Sequence, residues 1–153
     1  MPLEARPVVR DHVIPLIGLS VAPGQDGFVA SNAKSLAQAA YEPGSAIFGL
    51  WDGDVPVGLV AMIDLRDCVD LEDGGDPDTA YLWRLMIASG FQRRGFGQAA
   101  LKIFHRWARD RALPRLETSV VPENLGARAL YEGFGFIDTG KMLDGEMLLS
   151  RPV

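Results

Sequence analysis

Residues 90–104 read GFQRRGFGQAALKIF: glycines and arginines that run straight into a helical pattern. From Gly95 to Arg111, residues Leu101, Phe104, Trp107 and Ala108 fall on one apolar stripe, with Lys102, Arg106 and Arg109 opposite. The first amides of a helix have no partner inside it and point outward. The helix dipole adds partial positive charge at the same end. Glycine removes side chains that would hold an anion away, and Arg93 and Arg94 supply charge-assisted donors. The stretch is therefore a candidate phosphate cradle, with a plain turn and cap as the competing reading. It lacks the GxxxxGKS or GxxxxGKT of a nucleotide P-loop. Of the dinucleotide fingerprint only a relaxed G-x-G-x-x-A survives, and Glu117 starts its strand where a ribose-binding acid should end one.

Working outward, TAYLWRLMIA (79–88) is almost wholly apolar and reads as a central strand ahead of the glycine loop. Further upstream, Ala46–Trp51 and Val57–Ile63 form a hairpin around Asp52-Gly53. SNAKSLAQAA (31–40) is a helix with Ser31 and Asn32 as cap residues, stopping before Pro43-Gly44. RPVVR (6–10) is a first strand, and Asp11 caps a short helix through Leu19 that tolerates Pro15 in its first turn. Downstream, RLETSVV (115–121) is a strand. ENLGARALYEGFG (123–135) carries a helix with Ala127, Leu130, Tyr131 and Phe134 on one face. FGFIDTGKMLDGEMLLS (134–150) is a closing strand pair or one bent strand. The mixture predicts a single α/β or α+β domain, residues 1–153, around a mixed sheet.

Composition narrows the function. No apolar run approaches the roughly 18 residues of a membrane span, and MPLEARPVVR is not a secretory leader. The single cysteine, Cys68, excludes an internal disulfide and a cysteine zinc site, and its acidic neighbours disfavour a reactive thiolate. A cytoplasmic protein is expected. A net charge of -5 argues against a general nucleic-acid binder. The charge is uneven. Asp64, Asp67, Asp70, Glu72, Asp73, Asp76 and Asp78 are opposed only by Arg66, while Arg93, Arg94, Lys102, Arg106, Arg109, Arg111 and Arg115 follow. Each run is a solvated face or, in the sharper reading, a cation site and an anion site. His12 and His105 lack ligand spacing, so no metal is expected, and Ser119 and Ser150 show no base partner for a hydrolase triad.

Gln92-Arg93-Arg94-Gly95-Phe96-Gly97 resembles the Q/R-x-x-G-x-G/A signature of the GNAT family of N-acetyltransferases. NLGARALYEGFGFI resembles that family's second signature, with Asn124, Ala127, Leu130, Tyr131, Glu132, Gly135 and Phe136 in place. GQDGFVASNAKSLAQAAYEP resembles the equivalent segment of the bacterial spermine/spermidine (diamine) acetyltransferase branch. The resemblance implies the family's fold, a central sheet splayed at its middle strands and flanked by helices. It implies acetyl transfer from acetyl-CoA to a primary amine, with the amides of Arg93 to Gln98 on the pyrophosphate. Leu85, Met86 and Ile87 would offer backbone groups to pantetheine, and one of their amides would face the thioester oxygen. Asn124 would contact the pantetheine, and Tyr131 would be the general acid, since a phenol with pKa near 10 gives a proton to a thiolate. On its own residues, Tyr131 also reads as a core aromatic and Arg94 as a solvated arginine.

The acceptor is less well marked. Some polyamine acetyltransferases carry an acid in the central strand, where this chain has Leu82-Trp83-Arg84. Asp64 and Asp78 are the candidate bases, and a water chain is the alternative. An acidic mouth favours a polyamine or diamine, with Gln25, Phe28, Asn32, Trp83 and Asp78 as candidate contacts. Phe28 and Trp83 also read as core, and Asn32 as a cap. The resemblance equally admits an antibiotic or a protein N-terminus as acceptor, or a silent acyl-CoA-binding domain. A homodimer is compatible with the strands at the carboxyl end.

Overall fold

The structure, a computed structural model, describes residues 2–68 and 76–153. Its strands are β1 (Leu3–Pro7), β2 (Ser45–Asp52), β3 (Val55–Asp64), β4 (Thr79–Ile87), β5 (Arg115–Val120), β6 (Ile137–Leu143) and β7 (Glu146–Pro152). Its helices are α1 (Val13–Ile17), α2 (Asn32–Ala39), α3 (Phe96–Asp110) and α4 (Leu125–Gly133). The strands make one mixed sheet in the order β1-β2-β3-β4-β5-β7-β6, in which β4 and β5 are parallel and the other neighbours antiparallel. This is the mixed, helix-flanked sheet that the residues predict, splayed where β4 and β5 part as the family resemblance implies.

The larger core lies between the sheet and the α3–α4 side. Leu82 and Leu116 meet Leu101, Phe104 and Ala108, the stripe read from the sequence; Trp107 packs only at its edge. The smaller core joins Leu16 to Leu59 and Met86. Leu82 and Met86 have the same parity on β4, yet face opposite cores. The reason is a bulge: Ala61 pairs with Arg84 and Met62 with Leu82, so Trp83 is left without a partner on β3. One extra residue inverts the alternation of every side chain beyond it. At Gly58, opposite Ile87, any Cβ would collide with the Met86 carbonyl, so the strands past the bulge approach too closely for a side chain.

Three local expectations are corrected. The first strand is Leu3–Pro7 rather than 6–10, because its register against Phe48–Asp52 ends at Pro7, on the sheet edge where proline is tolerated. Asp11 caps nothing: residues 10–12 form a 3-10 turn, α1 ends at Ile17, and neither start has a side-chain cap. Ser31 alone caps α2, accepting from Lys34 N at 3.2 Å, while Asn32 lies inside the helix. The closing segment is a strand pair, turned by Asp144 and Gly145 with φ of 50° and 81°. That is the left-handed pair a tight hairpin needs.

Candidate active site

The site follows from where β4 and β5 stop pairing. Their parallel register runs only from Thr79↔Arg115 to Leu82↔Thr118. Beyond it, Leu85, Met86 and Ile87 keep β3 on one side and have no strand on the other. Open edge groups of this kind demand partners. Gln92 supplies one, since its Nε2 donates to Ile87 O at 2.9 Å and to Gln25 Oε1 at 2.9 Å. The Gln92 side chain thus ties the glycine loop to β4 and to the 21–27 segment, where Gln25 also accepts from Ala22 N.

A cavity of about 1250 Å³ opens at this gap. One end is the glycine loop. Arg93 (φ 62°) and Gly95 (φ 82°) are both left-handed, and Gly95 is the N-cap of α3. The first helical bond runs from Ala99 N to Gly95 O, so the amides of Phe96, Gly97 and Gln98 have no helical partner. A Cβ on Gly97 would stand 3.0 Å from Leu130 Cδ2, so this glycine also lets α3 approach α4. The cradle fits a phosphate group by these free amides, and Arg93, Gly95, Gly97 and Gln98 line the cavity. Arg94 stacks over the Phe91 ring at 5.4 Å. Phe96 packs against the larger core, so only its backbone serves the cradle.

Asn124 and Tyr131 come from α4. Asn124 caps the helix, its Oδ1 accepting from Ala127 N at 3.2 Å, and lines the cavity. Tyr131 is buried against Phe136 yet borders the same space. Burial pushes its phenol up to about 12, with the neighbouring Thr118 hydroxyl opposing. The hydroxyl therefore carries its proton throughout the neutral range.

The far end of the cavity lies past the gap, on the α2 face. Phe28 and Trp83 line the cavity there, while Gln25 lines it beside the glycine loop, bonded to Gln92. Sequence reading missed its charged and hydroxyl members: Tyr81, Arg84, Glu117, Ser119 and Glu146. Thr118 and Ser119 are neighbours on β5 and must point to opposite faces. Thr118 is buried on the Tyr131 side and bonds Leu82 O at 3.1 Å, whereas Ser119 Oγ lies 2.6 Å from the Tyr81 hydroxyl. Burial raises the Glu117 carboxyl above its ordinary value, against the pull of Arg115. The signal was in the sequence as strand alternation. It could be used only once the strands and the bulge had been placed.

Two expected acceptor contacts and the expected base are corrected. Asn32 is 3% exposed and donates to Leu16 O at 2.8 Å, which joins α2 to α1 instead of meeting a ligand. Asp78 is exposed and outside the cavity lining. Asp64 is 1% exposed and held by Arg66 (2.8 Å) and Arg111 (2.9 Å). Those guanidiniums, Arg66 foremost, bring its carboxyl down to about 2 although burial opposes them. A carboxylate so held has little appetite for a proton. The acidic mouth is revised in the same way: Asp67 pairs with Arg111, and Asp76 with Arg115. Asp70, Glu72 and Asp73 lie outside the described residues.

Residues 17–136 match the model of the acetyltransferase (GNAT) family. Among curated protein sequences none matches the chain. Of solved structures, the GNAT domain of the Streptomyces lividans protein PAT superposes with a TM-score of 0.79 at 18% identity, over 99% of this chain and 90% of that one. An acetyltransferase from Thermus thermophilus gives 0.69 at 23% identity, over 100% and 98%. PaiA N-acetyltransferase from Thermoplasma acidophilum, solved in complex with coenzyme A, gives 0.71 at 12% identity over 100% of both chains. At these identities the likeness is one of fold. Among the described residues, no helix is long and apolar enough to cross a membrane.

Proposed function

Since the chain belongs to the acetyltransferase (GNAT) family, and is thus an acetyl-CoA-dependent N-acetyltransferase, we propose that its acceptor is a small cationic amine, a polyamine or diamine. The observation that carries this reading is the pair of carboxylates, Glu117 and Glu146, on the α2 side of the cavity. A half-buried carboxylate raised by desolvation gains most by meeting a cation. Glu117 has only a long contact to Arg115, 3.9 Å, because that guanidinium lies nearer Asp76 at 3.1 Å, so it is suited to a distal ammonium group while the reacting amine lies at the gap. Arg84 borders the same space with its guanidinium already engaged: it donates to Gln38 Oε1 at 2.9 Å and lies 4.7 Å from the Trp83 ring. Phe28 and Trp83 offer aromatic faces to the chain between the ammonium groups.

Acetyl-CoA supplies an acetyl group activated as a thioester. The amides of Phe96, Gly97 and Gln98, with the backbone of Arg93, Arg94 and Gly95, hold its pyrophosphate. The open edge at Leu85, Met86 and Ile87 would take the pantetheine arm, and a free amide there would polarise the thioester carbonyl. Gln92 fixes the angle between loop and strand. Asn124 holds the start of α4, and so the position of Tyr131, which gives its proton to the departing sulfur.

Incubation with acetyl-CoA and an amine panel, following free CoA release, tests the acceptor. Turnover should be highest with diamines and polyamines. Glu117→Gln should lower kcat/KM for a diamine by about tenfold and leave a monoamine of similar length nearly unchanged. Absence of turnover with every polyamine and diamine, beside turnover of a peptide or antibiotic amine, sinks the acceptor assignment.

A further inference from the structure

The geometry points to a proton-accepting chain on the acceptor side, Tyr81–Ser119–Glu146, that neutralises the attacking amine. This rests on the acceptor reading above, because an amine bound as an ammonium ion must lose a proton before it can attack. The three residues come from β4, β5 and β7. Tyr81 Oη lies 2.6 Å from Ser119 Oγ, and Ser119 Oγ donates to Glu146 Oε1 at 3.5 Å. All three line the cavity. A serine has one proton and two lone pairs. With its proton directed to Glu146, Ser119 must accept from the Tyr81 hydroxyl. One lone pair is then left, facing the cavity, to accept from the substrate nitrogen. Burial pushes the Tyr81 phenol up to about 12, so it keeps its proton and is able to donate it to Ser119. Tyr131 lies across the sheet, beyond Thr118, so the proton donor and the proton acceptor meet the reacting centre from opposite faces.

The step balances as follows. One N–H bond of the ammonium breaks; its proton moves to Ser119 Oγ as the serine proton moves to Glu146. The freed lone pair forms the C–N bond, the C–S bond breaks, and Tyr131 gives its proton to sulfur. The nitrogen sheds a second proton, which restores Tyr131, and Glu146 releases its own to water. The net products are the amide, the free thiol and one proton.

The charged and titratable groups that share this space with Glu146 are Tyr81 and Arg84 on β4, Arg115 and Glu117 on β5, Tyr131 on α4, and Lys141 and Asp144 of the β6–β7 hairpin, with Lys34, Glu42 and Asp76 elsewhere in the lining. Arg84 and Glu146 attract each other across it. A pH profile must therefore be read as a difference between variants.

Glu146→Gln and Ser119→Ala are compared with wild type for kcat against pH, using whichever amine the panel shows is turned over best. Melting temperature and acetyl-CoA affinity serve as fold controls. Glu146→Gln should lower kcat about 100-fold near neutrality. Its deficit should shrink as pH rises, because amine already neutral in solution needs no acceptor. Ser119→Ala should show the same pH trend with a smaller loss. A profile parallel to wild type, or a loss under threefold in both variants, overturns the inference and leaves the acceptor reading standing. If only uncharged or peptide amines react, the acceptor reading fails while the same pH comparison still decides on Glu146. Turnover of no amine refutes both.

Discussion

Replacing Asp64 with asparagine separates a structural carboxylate from a catalytic one. In the folded protein Arg66 and Arg111 hold this carboxyl at about 2, against an ordinary 3.8. The gap of nearly two units, at about 1.4 kcal/mol per unit, corresponds to about 2 kcal/mol. Because the folded value is depressed, this stability is complete above the unfolded value. It drains as pH falls toward 2, where the native carboxyl is protonated as well. Asp64→Asn should therefore melt about 4–8 °C below wild type at pH 7, at about 2–4 °C per kcal/mol for a chain of this size. The difference should close between about pH 5 and pH 2. Calorimetry or circular dichroism across that range measures it. At 25 °C and neutral pH, kcat should stay within about threefold of wild type, since Asp64 is spent on the two arginines. A deficit that is flat with pH would show that charge is not its source. A collapse of kcat with unchanged melting would restore Asp64 as the base.

Tyr131→Phe should lower kcat by about 100-fold while the KM for acetyl-CoA holds within about twofold, in steady-state assays; an unchanged kcat removes the acid role. Gln92→Ala should raise the KM for acetyl-CoA several-fold with little loss of kcat, because the loop loses its bonds to Ile87 O and Gln25; equilibrium binding of CoA checks this. Gly58→Ala should destabilise the fold by about 3 kcal/mol or more, read by denaturant melting, because its Cβ would meet the Met86 carbonyl, which is backbone and cannot swing aside.

The half of the site that would serve the donor was legible in the sequence because it is local. The cradle is one contiguous turn and helix start, from Gln92 to Gln98, and its amides are set by backbone conformation at Arg93 and Gly95. Asn124 and Tyr131 lie seven residues apart, at the cap and within one helix, so one contiguous signature resembling the family's names both. The core stripe of α3 was readable for the same reason.

The half of the cavity proposed for the acceptor was not legible, because it is assembled across strands. Tyr81 and Ser119 are 38 residues apart, and Ser119 and Glu146 are 27 apart. Which face each occupies depends on the unpaired residue at Trp83, and composition does not announce a bulge. The charge runs misled for a related reason. Sequence distance kept Asp64, Asp67 and Asp76 apart from the arginines at 111 and 115, but the end of α3 and the start of β5 beside β4 set them together as ion pairs. The sequence by itself determined the α/β fold class and marked the candidate phosphate cradle, since helix starts and apolar periodicity are properties of neighbouring residues. Only the tertiary structure decided which carboxylates are neutralised and which face the cavity, because a charge has meaning only beside the partner that folding brings to it.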